Sequence, residues 1–344
     1  MDFLSFFIIC VKVLLVFAGT LLAVLIMVYA ERRVSAFMQG RLGPNRVGPQ
    51  GLLQPIADGI KFLMKEDIIP DGVNKPIYLL APVIMLIPAL MTFAVIPFGS
   101  TITLFDRDII LQVADVNIGI LYILALTSIG VYGIVLAGWA SNSKYTLIGG
   151  LRSSAQLISY ELALGLSVVS IILMSGSLRL NDIVADQQGY FLSWYVFKQP
   201  LAFLIFLIAT YAETNRLPFD LAEAEQELVG GYHTEYSSMK FAMFFMSEYA
   251  NMITAAALTV TLFFGGWDVP LLDEKSLGIW GAILSVASFI LKMGFFLFLF
   301  IWIRWTFPRF RYDQLMKLGW KVLLPLSLIN IFITGGYLTL AALK

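Results

Sequence analysis

The chain has 344 residues, of which 59% are apolar and only 13% are charged. Because about a quarter of the residues in an average soluble domain are charged, this composition excludes a soluble globular protein and indicates an integral membrane protein. The 23 Lys and Arg residues balance the 23 Asp and Glu residues, so no net charge indicates nucleic acid as a partner.

Cys10 and His233 are the only residues of their types in the chain. An iron–sulfur cluster, a zinc site or a bis-histidine haem needs a set of Cys or His ligands that one residue of each type cannot supply. The sequence therefore predicts no metal site and no bound redox cofactor in this chain. Any redox cofactor of the system is expected in another chain.

Eight apolar segments reach the roughly 20 residues that a membrane-spanning helix needs. The predicted spans cover residues 3–30, 78–98, 117–140, 155–175, 195–213, 241–266, 279–304 and 320–342. Runs of this length exclude an outer-membrane barrel, whose strands give short alternating segments. The predicted fold class is an all-α polytopic membrane protein with eight transmembrane helices, forming one transmembrane domain over residues 1–344. Lys198 and Pro200 interrupt the start of the fifth span.

The distribution of cations predicts the orientation of these helices. The loops after the first, third, fifth and seventh spans hold sixteen of the 23 Lys and Arg residues. These loops cover residues 31–77, 141–154, 214–240 and 304–321. Because cytoplasmic loops carry an excess of Lys and Arg, we expect these four loops in the cytoplasm and both chain termini outside.

The first of these loops contains a second kind of helix. Its beginning, ERRVSAFMQGRLGPNRVGPQG, is dense in Gly and Pro, which predicts irregular backbone. In the segment that follows, Leu53, Ile56, Ile60 and Leu63 recur at spacings of three and four residues. This periodicity predicts a short amphipathic helix that lies at the membrane interface after helix one.

The stretch ETNRLPFDLAEAEQELVGGYHTEY, residues 213–236, is the densest acidic cluster in the chain. Its carboxylates are Glu213, Asp220, Glu223, Glu225, Glu227 and Glu235, against the single cation Arg216. In a helix that begins after Pro218, Asp220, Glu223 and Glu227 share an arc of roughly 60°. Carboxylates this close favour their protonated forms when partly desolvated, and they titrate as a coupled set.

A structural explanation is open for part of this cluster. Asp220 and Glu223 fit a capping box at the start of a helix, and a capping role does not exclude a functional one. Glu225 fits a solvated surface position. These explanations leave Glu213, Glu227 and Glu235 unexplained.

Further ionisable residues lie within the predicted spans. Glu161 and Glu248 are in the inner halves of the fourth and sixth spans, Glu213 closes the fifth, and Lys292 is near the middle of the seventh. A charge at such depth costs several kcal/mol, so it normally pairs in the bundle interior or belongs to an ion path. Snorkelling or a helix–helix hydrogen bond is an alternative for the glutamates, and a pair with a neighbouring Glu is an alternative for Lys292.

Together these residues predict a proton pathway through Glu161, Glu213, Glu227, Glu248 and Lys292, with the acidic loop as its entrance. The same pattern fits a proton-coupled carrier. The first and last cytoplasmic loops add arginines, namely Arg32, Arg33, Arg41, Arg46, Arg304, Arg309 and Arg311. The positive-inside rule explains most of them. A cavity between the loops, lined by Phe37, Met38, Phe62 and Met64, would suit an amphiphile such as quinone or a lipid, and spacing does not choose between these two.

Four long motifs carry a resemblance to a known family. ERRVSAFMQGRLGPNRVGPQGLLQPIADGIKFLMKE, LRSSAQLISYELALG, ETNRLPFDLAEAEQELVGGYHTEYSSMKFAMFFMSEYANM and RWTFPRFRYDQLM occur in this order. They closely resemble the H subunits (subunit 1 in mitochondria) of respiratory complex I, the proton-pumping NADH:quinone oxidoreductase. The resemblance covers nearly the whole chain.

The resemblance implies a position at the junction of the redox arm and the membrane arm. The chain would form much of the quinone tunnel, beneath an iron–sulfur cluster of a neighbouring subunit, and would begin the proton pathway toward the antiporter-like subunits. The junction-channel acids match Glu161, Glu213, Glu227 and Glu248. The acidic loop at the quinone cavity matches Arg216, Asp220, Glu223 and Glu225, and the tunnel-lining positions match Arg32, Asp58, Arg304 and Arg309.

The implied substrate is quinone, with FMN and iron–sulfur clusters held by partner subunits of the hydrophilic arm. Small membrane subunits and lipids are further expected partners, and nucleic acid is not. Chain length and loops favour the plasma membrane of a bacterium over the mitochondrial inner membrane. Alternatives are the equivalent subunit of a membrane-bound hydrogenase, or a stand-alone transporter, which often contains inverted repeats that we do not find here. A purely structural scaffold would leave the ionisable residues at depth unexplained.

Overall fold

The computed structural model describes residues 3–104, 107–220, 230–272 and 277–343. Its helices are α1 (Phe3–Met38), α2 (Gln54–Met64), α3 (Lys75–Met91), α4 (Gly119–Ala140), α5 (Lys144–Ser175), α6 (Leu180–Ala185), α7 (Tyr195–Lys198), α8 (Pro200–Glu213), α9 (Ser238–Phe263), α10 (Ile279–Thr306), α11 (Tyr312–Lys317) and α12 (Leu324–Ala342). A π-helical turn, Leu318–Leu323, joins α11 to α12. Two strands, β1 (Gly99–Leu104) and β2 (Arg107–Leu111), pair antiparallel.

Seven apolar helices in the described part of the chain are long enough to cross a membrane. This confirms a polytopic helical membrane protein and matches seven of the eight predicted spans. The predicted fifth span, 195–213, is divided into α7 and the 14-residue α8. Gln199 between them has a non-helical backbone, and Pro200 begins α8, a position where its missing N–H costs no helix hydrogen bond.

Two helices extend beyond the apolar segments that predicted them. The 36 residues of α1 run to Met38 rather than to residue 30, which makes the helix about 54 Å long. Similarly, α5 begins at Lys144 rather than at residue 155. An apolar pattern ends at the first charges, whereas the backbone hydrogen bonds of a helix continue into the polar region outside the roughly 30 Å hydrocarbon core.

The bundle has a loop end and a hairpin end. At the hairpin end, the ribbon of β1 and β2 packs against α10, where the Ser100 backbone N–H donates to Ser285 Oγ at 3.0 Å. A Cβ on Gly99 would lie 2.7 Å from Leu111 and 2.8 Å from Val286, so this close packing requires glycine. The ribbon was not predicted from the sequence, because two strands of six and five residues give too short a pattern.

At the loop end, α2 confirms the predicted amphipathic helix. Ile56, Ile60 and Leu63 form an exposed apolar face on it, and its placement at the membrane interface remains a prediction. Between the two ends, α9 is the most buried long helix, with 61% of its apolar stretch inside the protein, against 11% for α1. Glu248 of α9 therefore lies near the centre of the bundle, whereas α1 forms part of its rim.

Candidate functional site

Three glutamates from three helices line one internal cavity. Glu161 of α5, Glu213 at the end of α8 and Glu248 of α9 surround a volume of about 50 Å³, together with Thr127 and Asn251. This volume accommodates on the order of three to five water molecules. The sequence predicted all three acids, and the structure brings them to the same polar, water-sized space.

Small residues allow α4 and the turn before α9 to pack closely against α5, the helix that carries Glu161. A Cβ on Gly138 of α4 would lie 2.7 Å from the carbonyl oxygen of Thr146 in α5. A Cβ on Gly149 of α5 would lie 2.9 Å from the backbone of Gly231, which precedes Tyr232. Such contacts between small residues are the usual way in which membrane helices pack. They fix how closely α4 and the Gly231–His233 turn pack against α5.

Two of the three cavity carboxylates accept a hydrogen bond from a hydroxyl group. Ser128 of α4 donates to Glu161. Tyr232, which is fully buried, donates from its Oη to Glu248 Oε1 at 2.9 Å. Because hydroxyl groups donate and accept at the same atom, these contacts extend the set of groups that can pass a proton beyond the glutamates themselves.

Arg216 connects the cavity to the loop end. Its Nη2 lies 3.9 Å from Glu248 Oε2, and its Nη1 lies 3.7 Å from Glu31 Oε1. The guanidinium carbon stands 4.4 Å from the centre of the Tyr249 ring, within the range of a cation–π contact. Only 7% of the Arg216 side chain is exposed. One buried cation is therefore shared between a cavity acid and a second acid at the end of α1.

The second acid, Glu31, was not among the predicted site residues. It is buried, accepts a hydrogen bond from Tyr249 Oη at 2.6 Å, and also pairs with Arg304. Its sequence signal was available, because Glu31 directly follows the apolar run of the first span. The neighbouring arginines were explained by the positive-inside rule, so Glu31 was not predicted as a site residue. Its contacts with Arg216 and Arg304 join residues far apart in the chain, which no local pattern records.

The other predicted loop residues form two ion pairs. Asp220 is buried and pairs with Arg309 at 2.7 Å. Arg32 and Asp58 form a more exposed pair at 2.5 Å, and Gln54 donates to the same carboxyl group at 3.1 Å. The ring of Phe37 is 68% exposed in this chain. Glu223, Glu225 and Glu227 lie outside the described residues, so their predicted roles stay predictions.

Gln156 holds the loop that carries Arg216. This fully buried side chain of α5 donates from Nε2 to the carbonyl oxygens of Ala212 at 2.7 Å and Phe219 at 2.8 Å, and it lies 3.2 Å from Asn215 Oδ1. One amide thereby ties both ends of the 212–219 segment to α5. Gln156 was not predicted as a site residue, because an uncharged Gln within a span does not stand out in the sequence as an ionisable residue does.

Lys292 of α10 has contacts of a different kind. Its Nζ donates to the carbonyl oxygens of Phe264 at 2.9 Å, Gly266 at 3.1 Å and Asp268 at 2.7 Å, just beyond the end of α9. The ammonium also lies 4.6 Å from the centre of the Trp194 ring. Lys292 does not line the glutamate cavity. These contacts hold the loop that follows α9 against α10, and a role in the proton pathway stays a prediction.

Among the titratable groups outside the spans, His233 and Asp115 have lowered pKa values. Burial lowers the pKa of His233 to about 4, and its ring packs edge-on against Tyr232 and Phe241. The only histidine of the chain is therefore neutral at physiological pH. At the hairpin end, the guanidinium of Arg179 holds the pKa of Asp115 below its usual value by hydrogen bonding to the carboxylate.

Comparison with known proteins shows which family the chain resembles. Residues 11–335 match the family model described as NADH dehydrogenase. The chain is similar to an NADH-quinone oxidoreductase H subunit of Geobacter sulfurreducens, the one numbered 1, with 58% identity over 335 residues that cover 94% of this chain and 93% of that protein. It is also similar to the H subunit numbered 2 of the same enzyme in Koribacter versatilis, with 54% identity over 342 residues and 96% of both chains covered.

Proposed function

The chain belongs to the NADH dehydrogenase family, and from this premise we propose that it couples quinone reduction to proton translocation in a bacterial NADH:quinone oxidoreductase. In this role it forms much of the quinone tunnel at the junction of the redox and membrane arms. It also begins the pathway by which protons are moved across the plasma membrane.

The observation that carries the proposal is the convergence of Glu161, Glu213 and Glu248 on one cavity, joined through Arg216 to the loop end. Carboxylates, hydroxyl groups and enclosed water provide the exchangeable protons that a relay needs. The shared cation provides the coupling. When the charge near the loop end changes, the relative strength of the Arg216 interactions with Glu31 and Glu248 changes. The free energy of protonating the cavity acids then changes as well.

The size of this coupling is adequate for the work. Across the 3.9 Å between Arg216 and Glu248, two unit charges interact by about 4 kcal/mol at an effective dielectric constant of about 20. Moving one proton against 100–200 mV requires about 2.3–4.6 kcal/mol. A partial displacement of Arg216 therefore changes the free energy of protonating Glu248 by an amount comparable with the work of moving one proton.

The quinone site is proposed at the loop end. Its polar residues would be Arg32, Asp58, Arg216, Asp220, Glu223, Glu225, Arg304 and Arg309, with Phe37 as an apolar contact. The ring of Phe37 is exposed in the isolated chain. This supports a site that is completed by partner subunits of the hydrophilic arm, because large exposed apolar groups usually mark an interface or a ligand-binding surface.

The electrons are proposed to reach quinone from partner subunits. Iron–sulfur clusters and FMN would be held there, and small membrane subunits would continue the proton pathway away from Glu161. This chain would supply the binding surface, the cations that fix the quinone head, and the acids that respond to its reduction.

The experiment measures quinone turnover and proton pumping separately in the assembled complex. Glu161→Gln and Glu213→Gln keep the size of each side chain but remove its titratable proton, and we expect the number of protons pumped per quinone to fall. Asp313→Asn is the matched control, because its carboxyl group is 65% exposed and lies outside the cavity.

Normal turnover with normal pumping in both glutamine variants would contradict the proposal. Purification supplies a further test. A subunit of this complex co-purifies with iron–sulfur proteins and is inactive without them, whereas a stand-alone transporter works by itself. Co-purification with a hydrogenase in place of an NADH-oxidising arm would identify a different electron donor.

A further inference from the structure

A second cavity, distinct from the glutamate cavity, opens between α1 and α10. Its volume is about 490 Å³, which is within the range of small-molecule binding sites. We propose that this groove binds an anionic phospholipid of the leaflet at the hairpin end, with an acyl chain along the groove and the phosphate at Lys12. The inference is independent of the proposed quinone and proton chemistry.

The walls of the groove are apolar and leave a continuous space. Val16 and Ala23 of α1 face Phe289 and Met293 of α10 across it. At Gly19, between the two α1 residues, an added Cβ would meet no atom within 4 Å. The missing side chain therefore leaves the groove open midway along its length, where most other residues would partly fill it.

The length of the groove fits a lipid chain. Its lining on α1 extends from Lys12 to Ile26, which corresponds to about 21 Å at 1.5 Å per residue. One leaflet of a hydrocarbon core is roughly 15 Å thick, half of about 30 Å. A groove that starts at Lys12 therefore accommodates an acyl chain through its own leaflet and ends beyond the midplane.

Lys12 is the charged residue of this groove. Its Nζ donates to the carbonyl oxygen of Gln112 at 3.2 Å, and an ammonium group has three donors. Among the residues that the structure describes, no carboxylate forms an ion pair with Lys12. The ammonium therefore has donors and a positive charge available for an acceptor at the mouth of the groove.

The other polar side chains of the lining are already engaged. Thr20 donates to the carbonyl oxygen of Phe17 at 2.8 Å within its own helix. Gln112 donates to the Val95 carbonyl oxygen at 2.5 Å and accepts from Asn181 at 2.6 Å. Lys12 thus provides the group that would recognise the lipid phosphate. It lies at the boundary between the apolar groove and a polar layer at the hairpin end.

Charge complementarity selects the occupant. A lysine on a helix directs its side chain toward the N-terminus, which here is the hairpin end, and its ammonium reaches the headgroup region. A phosphate with an attached acyl chain matches both the cation and the apolar walls. A helix of a partner subunit would have to bring a buried carboxylate to the same point, and a quinone tail would leave the ammonium without an anion.

The test uses the whole complex in nanodiscs that contain equal amounts of phosphatidylglycerol and phosphatidylcholine. Lipid retained after extraction into detergent is counted by mass spectrometry. We expect the wild-type complex to retain phosphatidylglycerol in preference to phosphatidylcholine by about fivefold, the preference that one cation near a headgroup provides. Lys12→Gln should reduce the preference to about one while retaining lipid, and Gly19→Leu should abolish retention of this lipid.

Gly336→Leu is the matched control. It also places a leucine where an added Cβ meets no atom within 4 Å, but in α12, away from the groove. Leucine is a better helix former than glycine, so both variants are expected to fold, and NADH:quinone turnover verifies assembly. The proposal is overturned if Lys12→Gln and Gly19→Leu retain the same lipids as the wild type. It is equally overturned if Gly336→Leu loses as much lipid as Gly19→Leu. Recovery of quinone in place of lipid from the groove would also overturn it.

Discussion

Replacing Gln156 by leucine should release the segment that positions Arg216. The change keeps the approximate volume of the side chain but removes the Nε2 donor from the carbonyl oxygens of Ala212 and Phe219 and from Asn215. The Ala212 carbonyl keeps a bond from the Asn215 backbone N–H, whereas the Phe219 carbonyl and Asn215 Oδ1 either stay unpaired in the interior or turn toward water. In both cases the buried position of Arg216, between Glu31 and Glu248, loses support.

The expected magnitude follows from these contacts. An unsatisfied buried polar group costs about 1–3 kcal/mol, so the Phe219 carbonyl and the Asn215 amide oxygen together destabilise the native position of the segment by about 2–6 kcal/mol. Since 1.4 kcal/mol is a factor of about ten in an equilibrium constant, even the lower value increases the open population by more than tenfold. Quinone turnover and proton pumping should both decline in the assembled complex.

Two measurements read this change. Hydrogen exchange of the amides in residues 212–219 should accelerate by at least tenfold, and quinone turnover should fall. Gln187→Leu is the matched control at the other end of the bundle, since Gln187 is also fully buried and donates to the carbonyl oxygens of Ile183, Thr261 and Leu262. Unchanged exchange in residues 212–219, or an equal loss of turnover per assembled complex in Gln187→Leu, would refute the positioning role of Gln156.

Three further predictions concern other ionisable groups. Glu31→Gln should lower quinone turnover and destabilise the complex by about 3–5 kcal/mol in thermal unfolding, because Arg216 and Arg304 lose a buried partner. His233 has its pKa lowered to about 4, so stability should decrease by about 3 kcal/mol as pH falls from about 6.5 to 4 and then level off, and His233→Gln should remove this dependence in denaturant titrations. Asp115→Asn should cost less than about 1 kcal/mol, because its pair with Arg179 is partly exposed.

The sequence by itself determined the class of the protein and most of its helices. Apolar runs and a helical period are local properties, so they predicted seven spans and α2 without any knowledge of packing. The depth of a charge in an apolar run is local as well, and it identified Glu161, Glu213 and Glu248. The cost of an isolated charge in a membrane makes such residues conspicuous in any sequence.

Only the tertiary structure decided which groups meet. Glu31 and Arg216 are far apart in the chain, and their contact depends on how α1 packs beside α9 and on the segment that Gln156 holds. The three acids that converge on one cavity come from α5, α8 and α9, which are separate segments of the chain. Helix packing is fixed by the fit of side chains from different segments, and no periodicity within one segment records that fit.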